Sequence, residues 1–325
     1  MTASRTLPDG RSVEALDLAA GDLSVRLLTL GATLNDVRLK GIPQSLTLRS
    51  DDPADYLGPM LYFGGIVGPV ANRLRGAQAR IGSFVHNFEP NQSGRHILHS
   101  ASAGTHLKIW EVTDLTPAAA TLALDLPDGE GGFPGNRRLT ARFTLAPPAT
   151  LRLDLAMTTD APTLANVVNH SYWNLDGTPS WAGHALRIAA EAILPVDADT
   201  LPTGEILPVA GTEYDFRKPR TIAPGSPGTP ALDHNFCLSD GPRALRDVLT
   251  LTGASGVSMT IATTEPGLQV YDGGHTRRPG QGLHEGLAIE PQHWPDAPAN
   301  PQFPTITLLP GQTRRSSTEW RFSRP

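Results

Sequence analysis

Apolar residues in this chain recur with a period of two. Leu151, Leu153, Leu155 and Met157 alternate with Arg152, Asp154 and Ala156, and the same rhythm runs through Leu139, Ala141, Phe143 and Leu145 and again at Trp320 and Phe322. Leu122, Leu124 and Leu126 form a looser case. Successive side chains of an extended strand point to opposite faces, so each such segment predicts a half-buried antiparallel strand. No apolar stripe of helical period runs beyond about three turns. Glycine and proline, 32 and 30 residues, are spread through the chain rather than gathered into a linker, and they supply the turns that many short strands need. With no fixed repeat and no stretch that reads as a boundary, the expectation is one all-β domain, residues 1–325, folded as a sandwich or barrel.

Composition removes several classes of function. Hydrophobic residues make up 39% and charged residues 18%, which argues against a disordered chain. The net charge is −5 and the basic residues are dispersed, so neither a nucleic acid nor an anionic membrane is expected as partner. Cys237 is the single cysteine; it has no intramolecular partner, and a cytoplasmic location follows as the default. No stretch approaches the ~20 apolar residues of a membrane span, and the first residues, MTASRTLPDGRS, lack the apolar core of a signal peptide. The sequence does not speak to oligomeric state.

Five segments place polar side chains where strand packing alone would not want them. Gly64-Gly65 followed by Gly68-Pro69-Val70-Ala71-Asn72-Arg73 suggests a loop whose backbone approaches something closely, with a guanidinium fork beside it; a turn with a surface arginine is the plainer account. Asn91 to Ala101 holds His96 and His99, without the further nearby ligands that a metal site needs. Val167 to Leu175, VVNHSYWNL, read as a strand, puts His170, Tyr172 and Asn174 on one face and Asn169, Ser171, Trp173 and Leu175 on the other. Histidine suits proton transfer because its ordinary pKa of ~6.5 lies near working pH. Asp233 offers a carboxylate able to accept from two hydroxyls, or merely a turn former. In Leu287 to Gln292, Glu290 and Gln292 share the face opposite Leu287 and Ile289, and Pro291 suggests that the strand ends there or lies near an edge. A carboxylate on a mostly apolar strand has a partner or a job. Gln269 belongs with this group.

Taken in order, the stretches GPVANRL, NQSGRHILHSA, DGEGGFPGN, NHSYWNL, LPVDADTLPTGEILPVAGTEYDFR, LDHNF, TTEPGLQVYDG and LAIEPQ resemble the aldose 1-epimerase (galactose mutarotase) family from about Leu30 to Phe322. The resemblance implies a large antiparallel β-sandwich, a galactose mutarotase-like supersandwich. It also implies a monosaccharide substrate with no cofactor or metal, His170 as general acid and Glu290 as general base. Asn72, Arg73, His99, Tyr172, Asp233 and Gln269 would contact the sugar. Three positions depart from the family pattern: Gly68-Pro69 where it has Gly-Arg, Ser100-Ala101 where it has Gly-Gly, and Glu290-Pro291-Gln292 where Glu-Thr-Gln is frequent. They bear on which sugar is preferred. If close, His170 and Glu290 are expected to stabilise each other's charge, raising the first pKa and lowering the second. Two other readings stand beside this one. A sugar-binding module would need neither acid nor base, and a hexose-6-phosphate epimerase would need clustered basic residues, for which Arg277-Arg278 and Arg314-Arg315 are candidates.

Overall fold

A computed structural model describes residues 3–325. The described residues form no α-helix; strands, loops and six short 3-10 turns account for the chain. The strongest alternations become the longest strands. Arg137–Ala146 and Thr150–Thr159 pair antiparallel along their whole length, with Leu139 opposite Met157 and Phe143 opposite Leu153. Thr313–Ser323 adds to the latter and carries Trp320 and Phe322 inward. Ala119–Leu126 buries Leu122 and Leu126, while Leu124 is half-buried. These strands form the centre of a nine-stranded sheet that runs from Glu111–Thr116 at one edge to Arg220–Thr221 at the other.

A six-stranded sheet positions the polar residues. Its order is Tyr172–Trp173, Leu287–Gln292, Gly267–Tyr271, Asp233–Cys237, Ala192–Leu194 and Leu207–Pro208. One face buries Phe236, Leu268, Val270, Leu287 and Ile289 in a core shared with the nine-stranded sheet and with the four-stranded sheet near the N-terminus. Trp173 joins the two larger sheets, its ring centroid 6.0 Å from Trp320 and 5.7 Å from Phe322. Sheets packed face to face over interdigitated side chains make a sandwich, one of the two architectures that the alternation left open.

One local expectation is corrected. The Val167–Leu175 segment holds two short strands rather than one. Val168–Asn169 pairs with Ile66–Val67, Tyr172–Trp173 pairs with Leu287–Ala288, and His170-Ser171 forms the break between them. Leu287–Gln292 lies next to the two-residue edge strand Tyr172–Trp173 and ends one residue after Pro291, in keeping with what the proline suggested. Pro291 is tolerated because Tyr172–Trp173 covers only Leu287 and Ala288, which leaves that side of the strand without a ladder partner further along.

A second cluster of buried charge lies away from this face. Glu265 is 4% exposed, its Oε2 3.6 Å from His293 Nε2, which in turn accepts from Arg314 Nη1 at 2.9 Å. Burial lifts the Glu265 carboxyl to about 7 against the pull of Arg314. The folded protein therefore keeps this proton to about pH 7, whereas an unfolded chain releases it near the ordinary 4.5. Stability from this group is complete below that lower value and is lost as pH climbs to about 7, by roughly 3 kcal/mol in total. Glu265→Gln should flatten the stability profile in that window, by about 1.4 kcal/mol per pH unit, in urea titrations at stepped pH. An unchanged slope would show that the carboxyl titrates normally.

Candidate active site

The register of three neighbouring strands sets a polar row. Asn235 lies opposite Gln269, and Gln269 lies opposite Glu290. Directly opposed residues share a face, and Asp233 joins it two residues from Asn235. In the next row Asp233 faces Tyr271, Tyr271 faces Ala288, and Ala288 faces Tyr172. Alternation within each strand sends the apolar partners of these residues into the core, so the polar row is left on the outer face.

The loop Gly64 to Arg73 and the hairpin before Ala101 bring the remaining groups over that face. Gly65 O accepts from His170 N at 3.0 Å, and Gly64 N donates to His170 O at 2.9 Å. Asn169 Nδ2 donates to Gly64 O at 2.7 Å and Ser171 Oγ to Asn169 Oδ1 at 2.6 Å. The glycines thus approach the histidine's own backbone. Gly64 has φ +70, and a Cβ there would run into the Leu34 carbonyl oxygen. His170 Nε2 consequently stands 3.4 Å from Glu290 Oε1, with both side chains buried. His170 Nδ1 and Glu290 Oε2 have no protein partner. Tyr172 stacks on His170 at 5.2 Å and on Phe63 at 4.0 Å.

Around this pair the predicted residues converge. Arg73 Nη2 lies 3.4 Å from Asp233 Oδ2, and Gln269 Nε2 donates to Asp233 Oδ1 at 2.7 Å, leaving Gln269 Oε1 without a protein partner. Asp233 is on a strand, not a turn. Asn72 Oδ1 accepts from Arg73 N at 2.9 Å, and Asn72 N donates to His99 Nδ1 at 3.1 Å. A ring nitrogen that accepts cannot carry the proton, so a neutral His99 is protonated on Nε2 and is a hydrogen-bond donor there. Burial, reinforced by His170, His106 and Arg73, holds its pKa well below the ordinary value, which keeps the ring neutral.

The expected mutual stabilisation of charge is overturned. Burial pushes His170 down to about 4. Burial, aided by the Asp233 charge and opposed by Arg73, lifts Glu290 well above the usual carboxylate range. Taking both groups out of water costs more than one 3.4 Å contact returns, so each favours its uncharged form. The pair then holds one proton between pH 4 and the alkaline limit set by Glu290.

Sequence reading missed three residues. Tyr62 sits among three imidazoles, at 4.5 Å from His99, 4.9 Å from His106 and 5.8 Å from His170. His106 is buried, with Nδ1 unpartnered and its pKa held down to about 3 by burial and His170. Asn235, on the same row as Glu290, is buried with neither amide atom partnered. Only Asn235 carried a signal, its position two residues after Asp233. His96 is structural, accepting from Gly76 N at 3.0 Å and lying 3.5 Å from Asp199. Among the described residues no group of three or more His, Cys, Asp or Glu could hold a metal. Among the described residues no helix is long and apolar enough to cross a membrane.

A profile of the aldose 1-epimerase family matches residues 14–321. The chain is 33% identical to galactose mutarotase of Mus musculus, with 97% of this chain and 95% of the relative covered. It is 30% identical to aldose 1-epimerase of Escherichia coli strain K12, over 97% and 96%. A solved aldose epimerase homologue from C. elegans superposes with a TM-score of 0.89 at 26% identity, covering 99% of each chain.

The glycine that seats the His170 backbone gives a direct test of the site's construction. Gly64→Ala should cost about 1–3 kcal/mol in chemical denaturation, because a positive φ and a backbone collision act together. A variant as stable as the wild type would mean that the loop does not need this approach.

Proposed function

The chain belongs to the aldose 1-epimerase family, and on that premise we propose that it interconverts the α and β anomers of a free aldose through proton exchange at His170 and Glu290. The carrying observation is the 3.4 Å contact between two buried groups, each with a second polar atom unpartnered. Anomer exchange removes the proton of the C1 hydroxyl and gives one to the ring oxygen. The C1–O5 bond breaks, the aldehyde rotates about C1–C2, and closure on the other face returns both protons. One proton is taken and one is given, so the net need of the site is one held proton. The pair supplies that inventory.

In our reading Glu290 is the base and His170 the acid. Burial favours the proton on Glu290 in the empty site, so it passes to His170 across their contact when a sugar enters and its hydroxyls replace lost solvent. Carboxylic acid with imidazole, and carboxylate with imidazolium, have the same net charge. Arg73 favours the carboxylate. Arg73, Asp233 and the free Gln269 oxygen suit sugar hydroxyls as donor and acceptors, and His99 Nε2–H offers a neutral donor. A free rather than phosphorylated sugar is supported by where one arginine of each candidate pair is engaged. Arg278 is bound to Glu285 and to the Arg49 carbonyl, and Arg314 to His293 and the Thr305 and Thr307 carbonyls.

Glu290→Gln and His170→Asn should each lower kcat for mutarotation of α-D-glucose or α-D-galactose by about 10²–10⁴-fold in polarimetry, with sugar binding largely kept. A near wild-type rate in Glu290→Gln would remove it as the base. No acceleration by the wild type with any hexose, pentose or hexose 6-phosphate would favour a binding module instead.

The one-proton requirement also fixes a pH profile. Below about 4 His170 gains a second proton for the pair, and kcat/KM should fall about tenfold per pH unit. The alkaline limb should lie above the usual carboxylate range, where Glu290 gives up its proton. An acid limb near pH 6.5, the ordinary histidine value, would contradict the burial argument.

A further inference from the structure

We propose that Gln92 is a positioning residue for this reaction, holding the Arg73 guanidinium in place from a turn at Asp197–Thr203 outside the site. The proposal rests on the mutarotase reading for its kinetic test. Arg73 has three nitrogens to direct. Its Nη2 is turned toward Asp233 at 3.4 Å, a long contact. The shorter bond is on the other side: Arg73 Nε donates to Gln92 Oε1 at 2.8 Å. Gln92 Nε2 donates in turn to the Asp199 carbonyl at 3.1 Å. With one edge of the planar fork fixed by Gln92 and one arm by Asp233, Nη1 is left without a protein acceptor and is presented to a ligand.

The turn that holds Gln92 is itself closed on both sides. Asp197 Oδ1 accepts from Asp199 N at 2.9 Å and Leu201 N at 3.1 Å, and Asp197 N donates to Leu201 O at 2.9 Å. Arg75 reaches Asp197 Oδ2 at 3.1 Å and the Pro202 carbonyl at 3.0 Å. Arg95, three residues beyond Gln92, holds the Asp199 carboxylate at 2.8 and 2.9 Å. The hairpin of Gln92 closes at His96, whose amide donates to Gln92 O at 3.0 Å. The run PVDADTLPT therefore acts on the site without touching it. Its backbone carbonyl sets Gln92, and Gln92 sets Arg73. An amide side chain is suited to this place because it must accept from a guanidinium and donate to a carbonyl at once.

The test uses the full chain, with KM and kcat from mutarotation and Kd for galactose from calorimetry. Gln92→Met, of similar length but without hydrogen bonds, should raise KM and Kd about tenfold while kcat stays within about threefold, as loss of one bond to a charged group predicts. Gln92→Glu keeps the acceptor toward Arg73 and should bring KM back to within about threefold of wild type. In an Arg73→Lys background, which lacks Nε, Gln92→Met should change Kd by less than about twofold. If Gln92→Met does not fold, Gln92→Asn, one methylene too short to span both partners, gives the same readings. An unchanged KM, or an equal loss of affinity in both backgrounds, overturns the proposal. A wild type that binds galactose but accelerates no aldose would overturn the mutarotase reading alone, and the Kd cycle would still decide Gln92. A wild type that does neither overturns both.

Discussion

An imidazole and a carboxyl group in contact, both shut away from water, are what the rest of this molecule is arranged around. Neither would be buried alone without large cost, and together they still prefer to be uncharged. In the proposed mechanism that preference serves the chemistry, because a neutral pair holding one proton can pass it in either direction without creating net charge. It also sets a demand on the fold. Glu290 must come from the interior of a sheet, where solvent cannot reach its base. His170 must sit in a break between strands, where its ring can lean over the sheet instead of standing in the row. Both conditions are met by strands that are short near the site and long far from it.

The loops over the site carry backbone strain. Asn72, His99, Ser100 and Ala101 all have positive φ, between 47 and 63, a region that costs residues with a Cβ on the order of 1 kcal/mol each. Asn72 and His99 lock each other, through His99 N to Asn72 O at 2.9 Å and Asn72 N to His99 Nδ1 at 3.1 Å. Ser100 compensates with its hydroxyl, which donates to Val70 O at 2.9 Å and accepts from Val70 N at 3.0 Å. This explains how Ser100-Ala101 stands where the family has two glycines: the serine ties the strained turn to the loop that bears Asn72 and Arg73.

Charge is distributed along the same lines. Arg73 is shared among Gln92, Asp233 and the open site, whereas Arg278 and Arg314 are consumed in structural contacts. The buried Glu265 cluster shows what a carboxyl does without a reaction to serve: it is raised by the same desolvation as Glu290 and leaves only a pH-dependent cost in stability.

The residues by themselves determined the strands and which side chains share a face, because alternation is a local property of the extended chain. Leu139 to Leu145 and Leu151 to Met157 could be read as strands from a few neighbours, and so could the common face of Glu290 and Gln292. The candidate site positions 72, 73, 99, 170, 233, 269 and 290 were singled out instead by the resemblance of ordered segments to the aldose 1-epimerase family. What the tertiary structure decided was everything set by partners distant in sequence. It put Asn235, Gln269 and Glu290 in one row, broke the strand at His170, and brought Tyr62 and His106 to the same pocket as His99. It also reversed the expected charge preference of the pair. A pKa depends on how much water is excluded by packing from all sides, and no segment of sequence carries that quantity.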